Sequence, residues 1–151
     1  MAISEFLSPT EVIVGVRSRN KNQLLKELCT RAAARLGLNA ESIAYEIIKR
    51  EKLGSTGIGG GIALPHARID DLKEPHGILA RLRHAIDFNA IDGQPVDIVF
   101  LLLLPSAPAG EQLNALAAVA RRLRDSDSVR ELRHASDAAD LYRAMTKEIF
   151  K

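Results

Sequence analysis

From Val96 to Leu104 the chain carries nine residues of which only Asp97 is polar. A strand with one wet face alternates apolar and polar residues, whereas a nearly unbroken apolar run belongs to a strand covered on both faces. Covering both faces requires a helical layer on each side, so the run predicts an α/β layered sandwich: a central β-sheet with helices on both faces. Its wholly apolar part, Ile98 to Pro105, is far short of the ~20 residues that cross a membrane as a helix. With 151 residues and 46% hydrophobic content, one domain over residues 1–151 is expected. The net charge of +2 argues against nucleic acid or an acidic membrane as partner. The first residues, Met1 to Phe6, have neither the basic start nor the apolar core of a signal peptide. A lone Cys29 excludes an internal disulfide and a cysteine-based zinc site. A cytoplasmic domain without metal or organic cofactor is the expectation.

The flanking segments alternate strand-like and helix-like patterns. Val12-Ile13-Val14 reads as a short β-branched strand. Asn20 is placed as an N-cap with Gln23 as its capping-box partner. Leu24, Leu28, Ala32 and Leu36 then lay an apolar stripe on a helix, which Gly37 ends in the left-handed conformation. Asn39 caps a second helix with Ile43, Ile47 and Ile48 as its buried face. Its last turn carries Lys49, Arg50 and Lys52, which suit the negative end of the dipole. Ile62-Ala63-Leu64 and Ile78 to Leu82 read as strands, Asp92-Gly93 as a turn, and Pro105 and Pro108 close the central run. Leu113, Leu116, Ala117, Ala120 and Leu123 give a third helix, and a short fourth starts near Asp127. The last is capped by Ser136 and packs through Ala138, Leu141, Tyr142, Met145 and Ile149. Because 78–104 reads as two strands joined by a turn, the sheet is expected to be mixed.

Five of the ten glycines fall in Gly54-Ser55-Thr56-Gly57-Ile58-Gly59-Gly60-Gly61, followed at once by Ile62-Ala63-Leu64-Pro65-His66. Glycines accept φ > 0 and leave no Cβ in the way, so such a loop can turn its backbone N–H groups toward an anion. Ser55 and Thr56 add hydroxyl donors, and Arg50 a forked cation. By itself the stretch is also the composition of a flexible connection. It is not a Walker loop, having no Gly-Lys-Ser/Thr, and it follows a helix where a dinucleotide fingerprint follows a strand. His66 sharpens the reading: a neutral imidazole beside phosphate-directed donors has a lone pair that can attack phosphorus and carry the phosphoryl group.

The segment from Arg50 to His66 strongly resembles the phosphorylation segment of the fructose/mannitol-type (type-2) enzyme IIA domains of the bacterial phosphotransferase system, most closely their nitrogen-regulatory branch. A second block, Ile86 to Asp97 leading into Ile98–Pro105, agrees, and the resemblance runs from about Ile3 to Ile149. It implies the mannitol-type enzyme IIA fold, an α/β sandwich with a mixed sheet. It implies that His66 takes a phosphoryl group on Nε2 from an HPr-like phosphocarrier (NPr in the nitrogen branch). Arg50, Ser55, Thr56 and the Gly57 loop would hold the phosphoryl oxygens. Regulatory targets such as potassium transporters or sensor kinases would then respond to the phosphorylation state.

Two positions depart from the family pattern. Gln112 stands where a second histidine usually faces the first; an amide can donate a hydrogen bond but carries no charge. Gly60 replaces a common Asn or acidic residue, so a polar loop contact is expected to be missing and the segment more mobile. His84 is the residue that could stand in for the absent histidine. His76 is read as a loop residue, His134 as solvated, Cys29 as core, and Arg121-Arg122-Arg124 as a solvated helix face. The readings set against a phosphoryl-accepting regulator are a sugar-specific enzyme IIA that passes the group to a IIB domain, a binding-only regulator, and a nucleotide-binding protein.

Overall fold

The computed structural model describes residues 1–106 and 110–148, with backbone alone for 110–112. Six strands form one mixed sheet: β1 (Val12–Val16), β2 (Gly57–Gly59), β3 (Ile62–Ala63), β4 (His66–Ile69), β5 (His76–Ile86) and β6 (Val96–Pro105). Five helices cover it among the described residues: α1 (Lys21–Leu36), α2 (Ala40–Leu53), α3 (Gly110–Arg124), α4 (Ser126–His134) and α5 (Ala138–Thr146). Two 3-10 turns, Ile3–Glu5 and Pro9–Glu11, precede β1. The strand order is β1-β5-β6-β3-β2, with β4 also on β6. β5 runs antiparallel to β6, while β1–β5, β3–β6 and β4–β6 are parallel pairs.

β6 is where the apolar run is used. Ile98, Phe100, Leu102 and Leu104 enter the core under α3, α4 and α5, and Val99, Leu101 and Leu103 enter the core under α1 and α2. Each such buried side chain stabilises the fold by roughly 1.5–3 kcal/mol relative to exposure. The expected sandwich is therefore the observed architecture, and the mixed sheet follows from the antiparallel β5–β6 pair.

Most local signals act as read. Asn20 Oδ1 accepts the Gln23 amide at 2.9 Å, while Gln23 Oε1 reaches back one residue further than expected, to the Arg19 amide at 2.8 Å. Gly37 ends α1 at φ 68°, ψ 30°, and Asn39 caps α2. Ile48 is only half-buried, unlike Ile43 and Ile47. The last helix differs: Asp137 is its N-cap, accepting the Asp140 amide at 2.8 Å, and Ser136 bonds the Asp140 carboxylate instead. Pro108 and Ile149 lie outside the described residues. Arg122 is not solvated but 7% exposed, donating to the carbonyls of Ala144 and Lys147 at the end of α5. His76 is no loop residue; it opens β5 with Nε2 3.6 Å from the buried Glu11 carboxylate. Cys29 is fully buried, which pushes its thiol up to about 12 and leaves it unreactive.

Near the end of β6, space is tight. Gly77 donates its amide to Phe6 at 2.9 Å, and Phe6 meets Phe100 edge-on at 6.4 Å. A Cβ on Gly77 would lie 2.7 Å from the buried Phe100 ring. Gly77→Ala is therefore expected to destabilise the protein by about 1–3 kcal/mol through overpacking. Urea unfolding checks this; an unshifted midpoint would show that β5 moves freely away from Phe100.

Candidate functional site

The glycine-rich segment begins where α2 stops. Gly54 departs from helical geometry, and Arg50 Nη1 donates to its carbonyl at 2.9 Å. The following glycines build a hairpin. β2 and β3 pair antiparallel, and the two residues between them, Gly60 (φ +66°) and Gly61 (φ +81°), both adopt positive φ. That is the requirement of the tight hairpin turn whose twist suits paired strands.

This hairpin changes the picture of an open anion nest, because its donors already have protein acceptors. The Thr56 amide lies 3.2 Å from both oxygens of Glu51, and its hydroxyl donates to the same carboxylate. The Ser55 hydroxyl donates to the Phe88 carbonyl at 2.7 Å, and its oxygen accepts the Gly57 amide at 3.0 Å. Gly57 packs where a Cβ would sit 2.8 Å from Ala90 Cβ. Nor is Gly60 without polar contacts: its amide donates to Asp92 Oδ2 at 2.9 Å, and its carbonyl accepts Arg133 Nη2 at 2.5 Å. The Gly60 and Gln94 amides hold the exposed Asp92 carboxyl below the usual carboxylate range.

Beneath the hairpin lies a buried ion pair that the sequence reading missed. Glu51, 8% exposed, meets Lys21 Nζ at 2.7 Å. Lys21 also donates to the Phe88 carbonyl at 3.2 Å and lies 4.6 Å from the centre of the Phe88 ring. One ammonium thus ties α1, α2 and the 88–91 segment to the Ser55–Gly57 backbone. The only signal in the sequence was a charge at the start of one apolar helix and an opposite charge at the end of the next.

His66 sits at a break in the sheet. β3 and β4 pair with the same edge of β6, and Leu64-Pro65 separate them. Pro65 has no N–H to give, while the Leu64 amide turns to Thr56 at 3.0 Å and the Leu102 amide donates to Pro65 at 2.9 Å. In register with Leu102, His66 lies on the sheet face covered by α3–α5 and is half-buried. Its Nδ1 is 2.8 Å from the Leu64 carbonyl. A carbonyl only accepts, so that contact assigns the proton to Nδ1 and leaves the lone pair on Nε2. Burial lowers the His66 pKa below 6.5 and Arg50 adds to it, against opposing contributions from the Leu64 hydrogen bond and Glu51. The ring is accordingly neutral at pH 7.

Of the other residues singled out, Arg50, Ser55, Thr56 and Gly57 precede and line the hairpin, as described above. Gln112 falls in the first turn of α3, the helix that follows β6, and its side chain lies outside the described residues. His84 is exposed near the far end of β5 from the rung shared by Gly77, Leu102 and His66, so it does not stand in for a second histidine. His134 is exposed on α4, with Nδ1 at 2.8 Å from the Arg130 carbonyl. Among the described residues, no group of three or more His, Cys, Asp or Glu is placed to hold a metal ion. No helix there is long and apolar enough to cross a membrane.

The fold sets His66 at a break in the sheet, in line with a glycine hairpin that follows the arginine-bearing end of α2. Residues 5–148 match the family described as "Phosphoenolpyruvate-dependent sugar phosphotransferase system, EIIA 2", and the chain belongs to that family. Within it, the similarity is to nitrogen regulatory proteins. The one from Bradyrhizobium diazoefficiens is 41% identical over 142 residues, covering 94% of this chain and 93% of that protein. The Escherichia coli protein is 39% identical over 87% of this chain and 81% of its own length. Nitrogen regulatory protein IIA-Ntr from Neisseria meningitidis superposes with TM-score 0.90 at 30% identity, over 95% of this chain and 99% of that one. The IIA mannitol structure from Escherichia coli shares the fold with TM-score 0.73 at 16% identity, over 92% and 98%.

Two outcomes follow. The His66 ring should titrate with a midpoint below 6.5 by NMR. Because its folded pKa is lowered, the folded state binds fewer protons than the unfolded, so this contribution to stability is full above about 6.5 and is lost as pH falls from there through the folded midpoint; a midpoint at or above 6.5 would contradict the burial described. Replacing Lys21 by Met should cost about 3 kcal/mol, the lower end for stripping the partner from a buried charge, since Lys21 keeps 15% of its side chain exposed. Urea denaturation measures it, and a wild-type midpoint would mean that Glu51 is satisfied without the ammonium.

Proposed function

We propose that this protein is a phosphoryl-accepting regulator of the nitrogen phosphotransferase system, with His66 as the acceptor and an HPr-like phosphocarrier (NPr) as the donor. The observation that carries the reading is the contact between His66 Nδ1 and the Leu64 carbonyl, which leaves Nε2 with the lone pair. In the transfer, Nε2 forms the new bond to phosphorus while the bond from phosphorus to the carrier breaks, its electron pair leaving with the carrier. The proton stays on Nδ1, hydrogen-bonded to the Leu64 carbonyl, which stabilises the positive character that the ring acquires.

Phosphoryl transfer asks the protein mainly for position and neutralising charge. Arg50 supplies the permanent cation: its present acceptor is the neutral Gly54 carbonyl, and a phosphoryl oxygen offers a stronger, charge-assisted bond. Ser55, Thr56 and Gly57 form the wall beside it. Their hydroxyl and amide protons contribute only by exchanging their present acceptors, Phe88, Glu51 and Ser55. Gln112 in the first turn of α3 takes the place of a charged partner with a neutral amide. Leu53 and Ile91, 82% and 86% exposed, flank the hairpin and offer the carrier an apolar rim. Addition of about −1.5 to −2 charges to this surface would then alter docking of regulatory targets, of which potassium transporters and sensor kinases are the classes suggested by the family.

The test is phosphorylation by phosphoenolpyruvate, the first relay enzyme and the carrier. Wild type should gain one acid-labile phosphoryl mass and His66→Ala none. Arg50→Ala should slow acceptance by about 10²-fold, the effect of removing one oxyanion donor. Gln112→His should prolong the life of the phospho-form. No mass gain in wild type would leave a binding-only regulator, and onward transfer to purified sugar IIB domains would favour the sugar-transport branch.

A further inference from the structure

A groove of about 530 Å³ runs between the β2–β3 hairpin and α4, away from His66. Its floor is aliphatic: Ile58 and Ile62 from the hairpin, Leu123 from α3 and Val129 from α4. Its rim carries three arginines, Arg124, Arg130 and Arg133, beside the His134 imidazole, and none of its lining residues is acidic. Arg133 belongs to the wall, held by Asp97 at 3.0 Å and by the Gly60 carbonyl. Arg124 and Arg130 face solvent. Arg130 pairs with Asp127 at 3.2 Å, but both side chains are largely exposed, so the pair adds little and yields readily to an incoming carboxylate.

We propose that this groove docks an acidic, aliphatic-bearing segment of a partner protein. Leucine-like side chains would cover Ile58 and Val129, the half-buried apolar residues of the groove, and carboxylates would meet Arg124 and Arg130. Two features favour a chain segment over a small anion. The groove is lined by α4 from Ser126 to His134, a length of about 12 Å at 1.5 Å per residue, and its apolar floor has no use for a point charge.

The site is separable from the phosphorylation site. Ile62 opposes Ile98 and His66 opposes Leu102, so the two rungs are four residue steps, about 13 Å, apart along β6. At physiological ionic strength the screening length is about 8 Å, so a phosphoryl group on His66 is largely screened from the groove. The inference therefore stands or falls independently of His66 chemistry.

The experiment uses the full chain and a short fluorescein-labelled peptide rich in Glu and Leu, read by anisotropy and by amide shifts in NMR. The peptide should bind wild type and His66→Ala alike, and more weakly as salt rises. The Arg124→Glu/Arg130→Glu double variant should lose about tenfold or more in affinity while keeping the wild-type urea midpoint, which shows it folded. The milder Arg124→Gln/Arg130→Gln variant should fall between. Amide shifts should gather on α4 and the hairpin. Equal binding by the charge-reversed variant, equal binding of a peptide with Lys for Glu, or shifts centred on His66 would overturn the proposal. So would displacement of the peptide by equimolar inorganic phosphate, which marks a point-anion site, or wild-type self-association abolished by the double variant, which makes the occupant a second copy.

Discussion

β6 is hydrogen-bonded along both edges and buried on both faces, and the placement of almost every other element follows from that. One edge takes the antiparallel β5 and the other takes two short parallel pieces, β3 and β4. A strand whose two faces are both apolar cannot leave either helical layer out. The same property makes the broken edge consequential. Where Pro65 interrupts donation to the ladder, the chain steps out of regular pairing for two residues and re-enters at His66. The ring emerges at a fixed rung, with the Leu64 carbonyl two residues back in position to accept a hydrogen bond from Nδ1–H. The rigidity of β6 is thus passed to a single imidazole.

Next to it, the glycines serve shape more than direct binding. Gly60 and Gly61 close a tight turn, and Gly57 lets Ala90 approach. The Thr56 and Gly57 amides and the Ser55 and Thr56 hydroxyls are held by Glu51, Phe88 and Ser55 itself. Behind them the Lys21–Glu51 pair keeps a charge buried where it fixes three segments at once. Buried ion pairs add little to net stability, because desolvation offsets attraction; this one instead decides where the hairpin backbone lies. Arg50, in the last turn of α2, donates only to the neutral Gly54 carbonyl among the described hydrogen bonds.

The hairpin has two sides, and they divide the labour of the surface. Its β3 end leads to His66 and the apolar rim of Leu53 and Ile91. Its turn, clamped by Asp92 and Arg133, forms one bank of the groove against α4. Likeness of fold to the mannitol enzyme IIA structure at 16% identity fits a scaffold specified by burial pattern, on which such surface features can vary.

The order of elements, the two-faced central strand, the capping residues Asn20 and Asn39, the left-handed Gly37 and the candidate His66 were legible in the sequence. Each depends on near neighbours or on hydrophobic periodicity, which act over a few residues. The short strands β2 and β4 were not legible, since three or four residues with glycine or charge among them carry no periodicity and become strands only by pairing with β3 and β6. The same holds for Arg122, whose burial comes from packing against α5, and for His76, drawn to Glu11 across sixty-odd positions of chain. Above all, tertiary structure decided what each polar group of the glycine segment bonds to. Composition supplied donors suited to an anion, but acceptors brought from Glu51, Phe88 and Asp92 reached them first, because a hydrogen-bonding group that folding buries must be satisfied by whatever the fold places beside it.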